Sequence, residues 1–336
     1  MSKFVNGQHF HDSHFYVTEC QEDIAKNDKP YLRLQVRNLQ FEGKAIIWDS
    51  DRTVSGNKFF AKTFVEMGGI VEEFKGVLSI KVSNIRILND SEIRMENIIP
   101  SLSIQQKEMN MLEIESYIDA ISNNRLRKLC QEVFYVIPDL RKNFKESPAA
   151  TKNHHALCGG LAQHTLSMIK TCSKLVSQYP FLSSDLLIAG CLWHDIGKVE
   201  EFESILDPSY SINGNLLGHM GIAQKYLDET IFKISQDYIT LDGGKSEEVN
   251  LLRHIIYSHH GKHEYGSQVT PVIPEAYVIH IVDTLDATLY VFFEFLKSGA
   301  TNELVDVSST PVISGRKIYK HSLLNEEESY NKIRLG

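Results

Sequence analysis

Leu192-Trp193-His194-Asp195-Ile196-Gly197-Lys198 decides how the second half of this chain folds. An apolar run, Leu186-Leu187-Ile188-Ala189-Gly190-Cys191, leads into it, so His194 and Asp195 stand at the end of a helix that reads as buried. Aspartate is rarely buried unless it is paired or bound to a metal. Imidazole nitrogen beside carboxylate oxygen is a ligand set for divalent ions, Mn above all, with Fe, Co, Mg, Zn or Ni as alternatives.

Working outward, ten of the fourteen histidines lie between positions 154 and 280. His164 falls on a helical stretch over 161–176, one turn from Leu161 and from Met168, and so points to the buried face. His219 follows the turn-rich run Asn213-Gly214-Asn215-Leu216-Leu217-Gly218. His259-His260 ends a helix just before Gly261. Asp283 interrupts an apolar stretch over 274–296, and Asp286 lies one turn further on. The spacing predicts helices over 161–176, 184–194, 221–231, 247–259 and 274–296. Ser183 or Ser184 is placed to cap the second, Gly261 to end the fourth and Pro274 to start the fifth.

The first hundred residues have a different period. Tyr31-Leu32-Arg33-Leu34-Gln35-Val36-Arg37 alternates strictly, with Leu32, Leu34 and Val36 toward a core and Tyr31, Arg33 and Arg37 outward. Strands are also predicted over 15–19, 44–49, 76–82 and 84–88, and a short helix or turn over 63–67. His9, His11 and His14 read as a polar N-terminal segment. Several short strands with one short helix suggest a small closed barrel such as an OB-fold. The expected fold class is therefore α+β multidomain, a small β-barrel followed by an all-α bundle. Its parts are a barrel domain over 1–100, a helical connector over 101–150, the metal-binding domain over 151–300 and a tail over 301–336.

Composition narrows the function classes. A net charge of −8 argues against a bulk electrostatic nucleic-acid binder. Five cysteines without CxxC spacing point to free thiols and a reducing cytoplasm, and disfavour a zinc ribbon or a cysteine nucleophile. Neither a GxxxxGK[ST] loop nor a GxGxxG loop is present, which disfavours nucleotide motors and dinucleotide enzymes. The N-terminus lacks the apolar core of a signal peptide, and the apolar runs read as too short for a membrane span, so no membrane association is expected.

The ordered set H…HD…H…HH…D resembles the HD-domain superfamily of metal-dependent phosphohydrolases. That resemblance implies metal ligation by His164, His194, Asp195 and Asp283, with His219, His259 and His260 supplying a second ion. Gly159-Gly160-Leu161-Ala162-Gln163-His164-Thr165, the His194–Lys198 run, Gly214 through His219 and Ser258 through Ser267 are similar to the YhaM family. Those are bacterial 3′-to-5′ exoribonucleases built from an N-terminal OB-fold and a C-terminal HD domain. Lys29-Pro30-Tyr31-Leu32 and Ile47-Trp48-Asp49 look like that family's barrel strands. Gln268-Val269-Thr270-Pro271 departs from its pattern, which implies a shifted loop and no lost ligand.

A carboxylate can bridge two ions and a histidine nitrogen cannot, so Asp195 is the expected bridge and catalytic centre, with Lys198 placed to meet a phosphate oxygen. His155, His254 and Asp286 are expected behind the ligands, orienting them, and His280 as a structural residue. Tyr31, Arg33, Arg37 and Trp48 are the candidate nucleic-acid contacts. The expected substrate is single-stranded RNA, with DNA as an alternative. Two other readings compete: a phosphohydrolase acting on small or cyclic nucleotides, and a non-catalytic binding module. The long apolar helix over 274–296 serves either a core or an interface between copies, so a homo-oligomer is a further expectation.

Overall fold

Alternation every second residue builds the first of two compact units, Met1–Ser101; helical periodicity builds the second, Leu102–Gly336. The computed structural model describes residues 4–48, 61–74, 76–150, 155–204, 206, 209–234, 246–298, 301–305 and 317–324. Asp49, at the end of the Ile47-Trp48-Asp49 run, lies outside them, as does most of the expected tail.

In the first unit, strands β1 (His9–Ile24), β2 (Pro30–Arg37), β3 (Glu42–Trp48), β4 (Thr63–Phe74) and β5 (Val77–Ile87) close into a barrel in the order β1-β2-β3-β5-β4. β1 pairs with both β2 and β4 to shut it, and β3 pairs parallel with β5. This is an OB-fold. Leu34, Val36, Phe15, Val65, Met67 and Ile80 are fully buried inside it. Leu32, Leu34 and Val36 face inward as their alternation predicts. β1 reaches around the barrel because it is bulged twice, between Phe10 and Ser13 and between Val17 and Glu19.

Two expectations for this unit are corrected. Residues 63–67 are strand, not helix or turn: Val65, Met67 and Val71 alternate inward, and Gly68-Gly69 sits at a register shift against β5. A Cβ at Gly69 would collide with the Lys81 carbonyl, so only glycine allows that close approach. His9, His11 and His14 lie on β1 itself, with His14 Nε2 3.6 Å from Glu66 Oε2. A four-residue helix α1 (Met95–Ile98) completes the unit.

The second unit holds α2 (Ile104–Asp119), α3 (Asn124–Val136), α4 (Leu140–Glu146), α5 (Gly160–Gln178), α6 (Ser184–Trp193), α7 (Lys198–Glu201), α8 (Ile212–Ile234), α9 (Glu247–Ser258) and α10 (Pro274–Ser298). A two-stranded ribbon joins β6 (Glu303–Val305) to β7 (Ile318–Lys320). α6 is its axis: every residue from Leu186 to Trp193 is buried, which is why its sequence is apolar all round. Ser183 caps α6 by accepting from the Leu186 N–H, and Ser246 caps α9 by accepting from the Val249 N–H.

The stretch 101–150, expected as a helical connector, packs into the bundle. Met111, Ile114, Leu129, Val133 and Phe144 of α2, α3 and α4 share one core with Leu166, Leu192 and Ile255. α8 begins earlier than its periodicity suggests, because a first turn precedes a break at Gly218, whose φ is 63°. By length and composition α10 reaches what a bilayer span needs, against the reading of its apolar run as too short. Its acidic residues Asp283 and Asp286 face histidines of the same unit, and Ala276, Ile279 and Val282 enter the core.

Leu34→Ala, at a site with no exposure, is expected to lower the barrel's unfolding free energy by about 2–5 kcal/mol in chemical denaturation.

Candidate metal centre

Two helices end in the same device. His194 is the C-terminal cap of α6 and His259 that of α9. The last carbonyls of a helix lack intrahelical partners. His194 Nδ1–H donates to the Cys191 carbonyl at 2.9 Å, and His259 Nδ1–H to the Ile256 carbonyl at 2.8 Å. A carbonyl only accepts, so the proton is held on Nδ1 and the Nε2 lone pair is left for another partner. Two further buried histidines, His164 and His219, do the same with carboxylates. His164 Nδ1 donates to Asp286 Oδ2 at 2.7 Å, and His219 Nδ1 to Glu201 Oε1 at 2.9 Å.

The four Nε2 atoms converge on Asp195, which is 2% exposed. His194 Nε2 lies 3.2 Å and His164 Nε2 3.9 Å from Asp195 Oδ2. His219 Nε2 lies 3.6 Å and His259 Nε2 3.8 Å from Asp195 Oδ1. Asp283 Oδ1 joins the first set, 3.3 Å from His164 Nε2. His164, His194 and Asp283 offer ligand atoms all within 4.8 Å of one another, and so do His219, His259 and His260. His194 Nε2, Asp195 Oδ1 and His260 Nδ1 are buried without a hydrogen bond. Buried polar atoms without partners are rare in native proteins and call for an explanation, an ion among them. The donor set, neutral imidazole and carboxylate, fits divalent transition ions.

The electrostatics agree with a site built around negative charge. Burial works against the Asp195 carboxylate, but Lys198 and His194 outweigh it and hold its pKa well below the usual range. Lys198 Nζ sits 2.7 Å from Asp195 Oδ2; burial opposes its charge, and Asp195 and Asp283 raise its pKa nonetheless. Burial also disfavours the His164 cation, yet Asp283 and Asp286 carry its pKa to about 10, so an ion bound at its Nε2 would displace a proton. His259 and His260 are pushed down, first by burial and then by neighbouring histidines. Neutral His259 and His260 suit a ligand role.

All seven expected ligands thus come together. Behind them, Asp286 also accepts from His155 Nε2 at 3.0 Å and from the Ser167 hydroxyl, so His155 and Asp286 stand behind the ligands as expected. His254 does not. Its Nε2 accepts the Val272 N–H at 3.0 Å, bracing the loop after α9. His280 donates to the His259 carbonyl at 3.0 Å, and its ring fills the space beside Gly261, where φ is 81° and a Cβ would strike it. Two residues of the centre, Glu201 and Ser167, are not among those the sequence points to. Glu201 holds both the Nδ1 and the backbone N–H of His219. Its one visible signal is being an acidic residue shortly after the His194–Lys198 run, which is common. On the barrel, Trp48 is 48% exposed, and its ring packs against Tyr31 with centroids 4.8 Å apart and planes tilted by 33°, across paired positions of β2 and β3. Arg33 is also outward but is tied to Asp23 at 3.2 Å. Arg37 is partly exposed at the end of β2.

Residues 161–288 match the family model described as HD domain. This places the helical unit among the HD-domain hydrolases. The chain is 32% identical over 312 residues, 93% of each chain, to the 3′-5′ exoribonuclease YhaM of Shouchella clausii. It is 33% identical over 298 residues to the 3′-5′ exoribonuclease YhaM of Bacillus subtilis, spanning 88% of this chain and 91% of that one. The chain belongs to the YhaM family of HD-domain exoribonucleases. No solved structure matches it significantly.

Asp286→Asn leaves the His164 anchor without its charge and is expected to weaken binding of added Mn²⁺ by about 10–100-fold, by calorimetry, with the fold retained. Gly197→Ala drives a Cβ into the His219 carbonyl and is expected to displace that ligand, with a similar loss of affinity.

Proposed function

We propose that this protein is a metal-dependent 3′-to-5′ exoribonuclease that hydrolyses phosphodiester bonds of single-stranded RNA at a two-ion centre, with Mn²⁺ as the working metal. The observation that carries the two-ion reading is the division of Asp195. Its Oδ2 faces His164 and His194, and its Oδ1 faces His219 and His259. Only a carboxylate offers one oxygen to each of two neighbours in this way. In this reading His164, His194 and Asp283 hold one ion, His219, His259 and His260 the other, and Asp195 joins them. Such a pair supplies Lewis acidity for an in-line attack by water and screens the charge gathering on the phosphate.

The protein's own groups do the rest. Asp286, Glu201 and the carbonyls of Cys191 and Ile256 keep four imidazoles in one tautomer and one orientation. Lys198 stays protonated, paired with Asp195, and is a cation at the centre for a phosphate oxygen to meet. On the barrel, the Tyr31–Trp48 pair offers flat faces to nucleobases, and Arg33, paired with Asp23, and Arg37 are the basic side chains on the same strand as Tyr31. The relatives carry the name exoribonuclease, which supports RNA as the substrate. The free thiols suit a cytoplasmic setting.

With Mn²⁺ and a 5′-labelled single-stranded RNA, the protein is expected to give a ladder shortening from the 3′ end. The ladder should vanish in Asp195→Ala and in chelator, and metal analysis should find two ions per chain. Turnover confined to small nucleotides, or binding without cleavage, would overturn the proposal; a parallel DNA oligonucleotide settles sugar preference. Trp48→Ala is expected to raise the RNA KM with little change in kcat, by the equivalent of about 1–3 kcal/mol for one lost stacking contact.

A further inference from the structure

Beside the metal centre, a groove of about 360 Å³ runs between α5 and α10. Its two walls differ in chemistry. The α5 wall is polar and basic: Lys170, Thr171 and Lys174 line it, the two lysines one helical turn apart. Lys170 reaches Glu113 at 3.0 Å, whereas among the described residues no carboxylate lies within ion-pair distance of Lys174. The α10 wall is apolar and aromatic: Leu289, Tyr290 and Phe293 line it, and the Tyr290 ring packs on His155 with centroids 4.0 Å apart. One end is closed by Asp286, which accepts from His155 Nε2 at 3.0 Å and from His164 Nδ1 at 2.7 Å.

An anion and a flat ring therefore find separate, adjacent partners here. The volume lies near the lower end of the range for small-molecule pockets, about 300–1,000 Å³, which suits one nucleotide and not several. We propose that this groove binds a single nucleotide unit, its phosphate against Lys170 and Lys174 and its base against Tyr290 and Phe293. The inference rests on the nucleic-acid substrate proposed above. Asp286 makes the connection between them, since it lines the groove and also holds His164. The nucleotide has two sources: one residue of the RNA strand, or a free nucleoside monophosphate such as the reaction releases.

The test uses the full chain with Lys174→Glu and Phe293→Ala. Lys174 is exposed, so its replacement leaves the core alone. Three readouts are needed: AMP binding by calorimetry, KM on a single-stranded RNA, and hydrolysis of bis(p-nitrophenyl) phosphate, a diester too small to span both the centre and the groove. If the strand occupies the groove, both variants raise the RNA KM about tenfold relative to the small diester, and AMP binds weakly or not at all. If a free nucleotide occupies it, AMP binding falls about tenfold in both variants and the RNA KM is unmoved. AMP binding and RNA KM both unchanged would overturn the proposal. So would equal losses on RNA and on the small diester, which mark a structural effect only. If the wild-type protein binds AMP but cleaves no RNA, and both variants lose AMP binding, the nuclease reading fails and the groove stands.

Discussion

A carboxylate held at 2% exposure has to be compensated, and the helical unit is arranged around meeting that demand for Asp195. Lys198 supplies one full charge from three residues away on the same chain turn. Four imidazole nitrogens supply the rest of the surroundings, two toward each oxygen. Removing any one of these partners leaves a buried charge with fewer neighbours, which costs far more than the contact itself contributes. The constraint explains why polar residues cluster so densely inside an otherwise apolar bundle.

Holding an imidazole in the right orientation is a separate problem, solved by local chemistry. At the ends of α6 and α9, a histidine three residues past a carbonyl satisfies an orphan acceptor of its own helix and aims its other nitrogen outward. His164 lies inside α5 and His219 just past the break in α8, away from any such carbonyl, so each is fixed instead by a carboxylate from another element. Glycine serves the same end. At Gly197, Gly160 and Gly214 the backbones of His219, His155 and Glu201 come too close for any side chain. Close backbone approach is thus what brings the ligands and their anchors within reach of one another.

Much of this is legible in the amino-acid order. The alternation of residues 31–37 sets the inner and outer faces of β2, and the ordered histidines and aspartates are the ones gathered around Asp195. Where the order misleads, the causes are physical. Residues 63–67 read as helix or turn because Gly68-Gly69 interrupts the alternation that marks β4 as a strand. The helices of 101–150 read as a connector because their apolar faces are short and separated by turns; only their partners show that they belong to the same core. His254 shares a helix with the ligands at its end, but a backbone N–H from the loop beyond occupies its nitrogen.

The sequence by itself determined the kinds of atoms available and their local geometry: which strand faces are apolar, where helices end, and which donors those ends carry. These follow from periods of 2 and 3.6 and from capping, which act over a few residues. Tertiary structure alone decided which donors meet. The pairings of Asp286 with His164, of Glu201 with His219, and of Asp195 with His164, His219 and His259 span 18 to 122 positions of chain. Packing of separate helices sets such distances, and no local pattern encodes them.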